Sequence, residues 1–112
     1  MPKHIRSYRG YRLDGKCIVT VDGKPLNPML EILNYSPSGF EWGFSGAGPS
    51  QLAFAILADL YGVKTAESKF QVFKNRIVKR LPETGWNLTE KMIRDSLEKK
   101  PLIPHFIYDK PL

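Results

Sequence analysis

This sequence is poor in the side chains that usually carry chemistry. It has one cysteine, Cys17, and two histidines, His4 and His105, near opposite termini. A lone thiol forms no internal disulfide, and with two distant imidazoles it supplies no dedicated zinc-ligand set. A nucleophile needs a base beside it, and Cys17 and the serines show no sequence hint of one. Long apolar runs are also missing, since Leu52 to Leu60 falls far short of a bilayer span. The start "MPKHIRSYRGYR" is basic and leads into no apolar stretch, so no secretory signal is expected. These absences lead to the expectation of a cytoplasmic protein that is not an enzyme. No metal, no cofactor and no membrane partner are expected.

Acidic residues are the minority, eleven against seventeen basic ones, for a net charge of +6. The excess is uneven. Residues 1–16 hold Lys3, Arg6, Arg9, Arg12 and Lys16 against Asp14. Residues 64–80 hold Lys64, Lys69, Lys74, Arg76, Lys79 and Arg80 against Glu67. The intervening segment carries Asp22, Glu31, Glu41 and Asp59 against Lys24. Such segregation raises the local concentration of an anionic partner. The 42% apolar and 25% charged content is that of a globular chain, and no linker or repeat divides it. One domain over residues 1–112 is expected.

The first half reads as β. "HIRSYRGYRL" suggests a strand broken near Gly10, and "CIVTVDGKPL" a strand followed by an Asp22-Gly23 hairpin turn. "MLEILNY" and "FEWGF" suggest further strands, the latter with Phe40, Trp42 and Phe44 on one face. The second half reads as helical. Pro49 opens a helix that runs to about Tyr61, with Gly62 at its end and almost no polar face, so it is expected at the centre of the fold. Thr65 is expected to cap a second helix to about Leu81, with the stripe Phe70, Phe73, Ile77 and Leu81. Thr89 is expected to cap a third, with Leu88 stapled to Ile93 and Lys99 and Lys100 at its far end. The tail "PLIPHFIYDKPL" reads as extended. The fold class is α+β: an antiparallel sheet of three to five strands packed with about three helices.

Two places are candidates for binding. In "GFSGAGPSQ", Gly46, Gly48, Ser50 and Gln51 lie where a strand would turn into a helix N-terminus, a place that attracts anions. The loop lacks the third glycine of the dinucleotide fingerprint and the lysine of the nucleotide-phosphate loop, and Pro49 removes one donor. A structural corner is therefore the stronger reading. The second place is basic. At about 100° per residue, Lys69, Arg76 and Arg80 fall within about 40° of one another on the second helix. With Arg6, Arg9 and Arg12 of "RSYRGYR" they make a candidate nucleic-acid footprint, tyrosines stacking on bases and arginines meeting phosphates. Asp59, Glu67 and Lys69 imitate a nuclease triplet but fall on helix ends, where adjoining strands are needed.

Taken in order, "YRGYR", "VTVDGKPL", "NYSPSGFEWGFSGAGPSQLAFAILAD" and "FKNRIVKRLP…GWNLTE" resemble a family of small proteins of unknown function found among phages, plasmids and other prokaryotic genomes. The resemblance centres on Ser36-Pro37, Gly39-Phe40-Glu41-Trp42-Gly43 and Gly46-x-Gly48-Pro49-x-Gln51-Leu52-Ala53. It implies no activity, catalytic residue or cofactor. It does imply a setting in mobile elements or viruses, hence the cytoplasm of a host cell, where accessory proteins bind host or nucleic-acid components. The function expected is a small binding protein that engages an anionic partner, nucleic acid foremost, through a basic face. One alternative is an inhibitor or counter-defence factor that binds a host protein through exposed aromatics such as Tyr8, Tyr11 and Tyr108. Another is a small-nucleotide binder at the glycine loop.

Overall fold

A computed structural model describes residues 5–98. Strand β1 (Ser7–Leu13) turns through Asp14-Gly15 into β2 (Lys16–Val21), and Asp22-Gly23 leads to the short β3 (Lys24–Pro25). A long irregular segment reaches α1 (Ala47–Tyr61), followed by α2 (Val63–Arg76) and a single 3-10 turn at Val78–Arg80. Strand β4 (Gly85–Thr89) and helix α3 (Glu90–Leu97) complete the described chain. The sheet order is β3-β2-β1-β4, antiparallel throughout. This is the expected α+β architecture.

Both hairpins rest on Asp-Gly. Asp14 and Gly15 have φ of 51° and 77°, Asp22 and Gly23 of 52° and 83°. Two successive positive φ values make the turn whose twist matches the flanking strands. The second hairpin was expected; the first has the same sequence signal. β1 is continuous through Gly10, contrary to the expected break. Glycine stands there because the Trp86 indole lies against the strand: a Cβ at Gly10 would sit 2.3 Å from Trp86 Cε2. Gly10 and Trp86 are directly paired across β1 and β4.

The core forms on one face of the sheet. Tyr8, Val19, Trp86 and Leu88 are buried there with Leu52–Leu57 of α1 and Phe70 and Phe73 of α2. Every residue of α1 from Pro49 to Leu57 is buried, as a helix apolar all round requires. Helix α1 begins at Ala47, with Gly46 as cap and Pro49 inside the first turn. Gly62 ends α1 and is also the cap of α2, so the expected Thr65 cap is not used. Ile77 leaves helical geometry with φ −121° and ψ −63°, which ends α2 at Arg76, before the expected Leu81. The stripe is buried as expected, with Ile77 and Leu81 in the core. Thr89 caps α3, its side chain accepting from the Met92 N–H at 3.2 Å, and Leu88 and Ile93 are both fully buried.

Two expected strands are loops. Around "FEWGF", Gly43 takes φ 88° and its N–H donates to the Val78 carbonyl at 3.1 Å. Trp42 turns inward, its Nε1–H donating to the Glu83 carbonyl at 3.0 Å, while Phe44 is left 51% exposed. Around "MLEILNY", Met29 takes φ 62° and its carbonyl accepts from the N–H groups of Ile32 and Leu33, which makes a turn. Strand β4, "GWNLT", was not anticipated. The expectations for Lys99, Lys100 and the C-terminal tail, including Tyr108, lie outside the described residues.

Candidate functional site

The segment "YRGYR" is divided by strand alternation. Successive side chains of β1 point to opposite faces, so Tyr8, Gly10 and Arg12 share the core side and Arg9 and Tyr11 the other. Tyr8 is fully buried, and its hydroxyl donates to Asp59 Oδ2 at 2.6 Å. Burial first, then the Asp59 carboxylate, hold that phenol far above its ordinary pKa. Tyr8 is thus no exposed contact aromatic, a correction to the expectation for this residue, because its ring is needed to fill the core.

Arg12 anchors a loop. Its guanidinium meets Glu41 with Nη2 at 3.2 Å from Oε1 and Nη1 at 3.3 Å from Oε2. Nε–H donates to the Glu83 carbonyl at 2.7 Å, Nη1 reaches Cys17 Sγ at 2.8 Å, and the group lies 4.8 Å over the Trp42 ring. The Arg12 hydrogen bond holds the Glu41 carboxyl below its ordinary range, and the Glu41 bond raises Arg12. Burial, aided by Glu41, pushes the Cys17 thiol up to about 11. That thiol stays protonated near neutrality, which makes it a poor nucleophile. Arg12 therefore ties β1 to the 41–43 segment.

The other predicted basic residues part company. Arg6 donates to the Asp59 carbonyl at 2.8 Å and stands 3.9 Å from its carboxylate. Arg76 donates to the Ser96 carbonyl at 2.6 Å, joining α2 to α3. Lys69 is exposed in a groove with Tyr61, Thr65, Arg94, Leu97 and Glu98. Arg80 is exposed on the 3-10 turn, and the break at Ile77 takes it out of the helical arc assumed for Lys69, Arg76 and Arg80. Arg9 projects from the far side of the sheet. The structure does not gather these side chains into one stripe.

At the glycine loop, Ser50 and Gln51 are buried, 5% and 0% exposed. The Ser50 N–H donates to the Gly46 carbonyl at 3.0 Å. Gln51 Oε1 accepts from the N–H groups of Tyr35 and Ser36, and its Nε2 donates to the carbonyls of Pro28 and Leu33. One amide thus satisfies four backbone groups of the 28–36 segment. Gly48 is close-packed: a Cβ there would sit 2.6 Å from Glu41 Cβ. The Gln51 amide is spent on the fold of the 28–36 segment and presents no free group to a ligand. The nuclease-like acids are also apart in role, since Asp59 is held by Tyr8 and Arg6 while Glu67 is exposed on α2. Among the described residues, no three His, Cys, Asp or Glu side chains converge as metal ligands.

Among the described residues, what remains open is the outer face of the sheet. Ser7, Arg9, Leu13, Lys16 and Asn87 are exposed there, with Tyr11, Ile18 and Thr20 half-buried. Arg9 lies 4.9 Å over the Tyr11 ring. The strand residues on this face include Arg9 and Lys16 and no acid. Tyr11 stands between Gly85 of β4 and Ile18 of β2, near the middle of the sheet. The alternation of "SYRGYRL" was the signal for this division.

Fold and surface together define a small α+β domain with helices on one side of an antiparallel sheet and a basic, aromatic face on the other. The family of unknown function DUF6166 matches residues 8–99, and the chain belongs to it. No curated protein and no solved structure matches. No described helix is long and apolar enough to cross a membrane.

Proposed function

We propose that the protein is a non-enzymatic binding module that takes single-stranded nucleic acid on the outer face of its sheet. One observation carries the reading: the Arg9 guanidinium stacked 4.9 Å over the Tyr11 ring on an open strand surface that lacks acids. Unpaired bases stack on aromatic rings and on guanidinium planes, and sheets are well suited to display both. Lys16 lies on the same face for phosphate contact, and the net charge of +6 steers a polyanion toward it. A setting in mobile elements or viruses, where single strands are common intermediates, suits such a module.

Titration of labelled oligo-uridine, oligo-thymidine and a duplex tests the reading. Single strands bind more tightly than duplex, and affinity falls steeply between about 50 and about 200 mM salt. Tyr11→Ala costs about 1–3 kcal/mol of affinity if one base stacks there. Arg9→Gln weakens all sequences and flattens the salt dependence. Absence of binding by the parent protein at low salt removes the proposal.

A further inference from the structure

Strand β2 is paired along its full length on one side only. β1 covers Lys16 to Val21, whereas β3 pairs just Thr20 and Val21. The Leu26 N–H then donates to the Val19 carbonyl at 3.0 Å, and Asn27-Pro28 leads the chain away into the Met29 turn. Among the described residues, no strand lies beside Lys16, Cys17 and Ile18 on that side.

Two hydrogen bonds give the direction of the backbone groups. The Asp22 N–H donates to the Ser7 carbonyl, so even-numbered positions address β1; the Val19 carbonyl accepts from Leu26, so odd-numbered ones address the β3 side. Cys17 therefore turns both its N–H and its carbonyl to the bare edge. A cavity of about 500 Å³ runs beside it, lined by Lys16, Cys17 and Ile18 of the strand together with Ser38, Phe40 and Glu41. Consecutive strand side chains point to opposite faces. A cavity that touches three of them in a row lies along the strand's edge.

We propose that this slot takes an extended peptide segment of a partner protein as an added strand. Bare N–H and carbonyl groups on a sheet edge are the complement of an extended backbone. The stretch from Lys16 to Ile18 spans roughly 10 Å, which matches about three facing residues. Because Ser36, Ser38, Gly39, Phe40 and Glu41 line the same cavity, the edge gives onto a bounded slot, which suits a single extended segment rather than the sheet edge of another copy of the chain. Lys16 favours an acidic side chain on the segment, because Glu41 is already neutralised by Arg12. The slot shares Lys16 and Ile18 with the rim of the proposed nucleic-acid face, but the edge groups of Cys17 that carry this proposal do not depend on that reading.

The test is selection of a displayed random-peptide library on the full-length chain, followed by synthesis of an enriched peptide. In the free protein, the Cys17 amide exchanges its hydrogen faster than the Ile18 amide, which is in the β1 ladder. The bound peptide protects the Cys17 amide. N-methylation of the peptide amide that faces the Cys17 carbonyl weakens binding about tenfold, the equivalent of one lost hydrogen bond, and methylation of its neighbour does not. Cys17→Pro removes the bare donor and lowers affinity; Ser38→Trp, at an exposed position lining the cavity, fills the slot and does the same should Cys17→Pro fail to fold. The proposal is overturned if no peptide is enriched, or if binding ignores both N-methylation and Ser38→Trp. It is equally overturned if the Cys17 amide is already protected in the free chain, by a concentration-dependent dimer or by residues 99–112.

Discussion

Tyr8, Gly10 and Arg12 differ from Arg9 and Tyr11 by one step along the same strand, and their roles are opposite. The inward set is consumed by the fold: Tyr8 holds Asp59, Gly10 admits Trp86, and Arg12 clamps Glu41 and the Glu83 carbonyl. The outward set makes no contact that the core requires, and Arg9 rests on Tyr11 in solvent. A basic, aromatic pentapeptide is therefore two surfaces interleaved, and its net charge overstates what a ligand can meet. Of its arginines, Arg12 is already matched by a carboxylate, which leaves Arg9 for a partner.

The inward set should fail by losing the fold. The largest effect belongs to the helix beneath it: Ile56 is fully buried in α1, and Ile56→Asp places an unpaired charge there at a cost of several (about 3–5) kcal/mol. Insoluble or unfolded protein is expected, and an unchanged melting temperature would refute the central position of α1. Gly10→Ala comes next. Its methyl group would overlap the Trp86 ring, and overpacking costs about 1–3 kcal/mol; the readout is the denaturant midpoint.

Smaller effects separate the polar contacts. Tyr8→Phe keeps the ring and loses the bond to the Asp59 carboxylate, worth about 1.5 kcal/mol for a charged acceptor. The Arg12–Glu41 contact has a pH signature. Glu41 is held below its ordinary 4.5 chiefly by the Arg12 hydrogen bond. A depressed folded pKa contributes stability above the unfolded value that is lost as the pH falls through the folded one. The stability gap between the parent and Glu41→Gln should therefore be full above pH 4.5 and shrink as the pH drops below it. A gap that is constant with pH would mean that the carboxylate charge contributes nothing.

The sequence disclosed the parts of this fold that depend on local rules. The Asp22-Gly23 turn, the Thr89 cap, the all-apolar α1 and the α2 stripe follow from dihedral preference or periodicity, and each is present. "FEWGF" misled because alternating aromatics have the period of a strand, whereas Gly43 at φ 88° and the Trp42 bond to Glu83 turn the chain instead. Strand "GWNLT" has the same period and was overshadowed by the helix signals on either side. The Gln51 bonds to the 28–36 segment and the Arg12–Glu41 pair join residues 15 to 29 positions apart. No periodicity reports such a partnership. The candidate face was legible in its residues, Arg9 and Tyr11, but its isolation from Arg6, Arg12 and Arg76 depends on tertiary pairing.

The outward set should fail without loss of the fold, and that contrast is tested most directly by one comparison. Parent protein and Arg9→Gln/Tyr11→Ala are titrated with the same labelled oligo-uridine at low salt, with both melting curves in hand. Surface changes of this kind shift stability by no more than about 0.5 kcal/mol, so the two proteins should melt alike. The double variant should bind at least about tenfold more weakly. Equal affinity in the two proteins, or no binding by the parent, would contradict the assignment of this face.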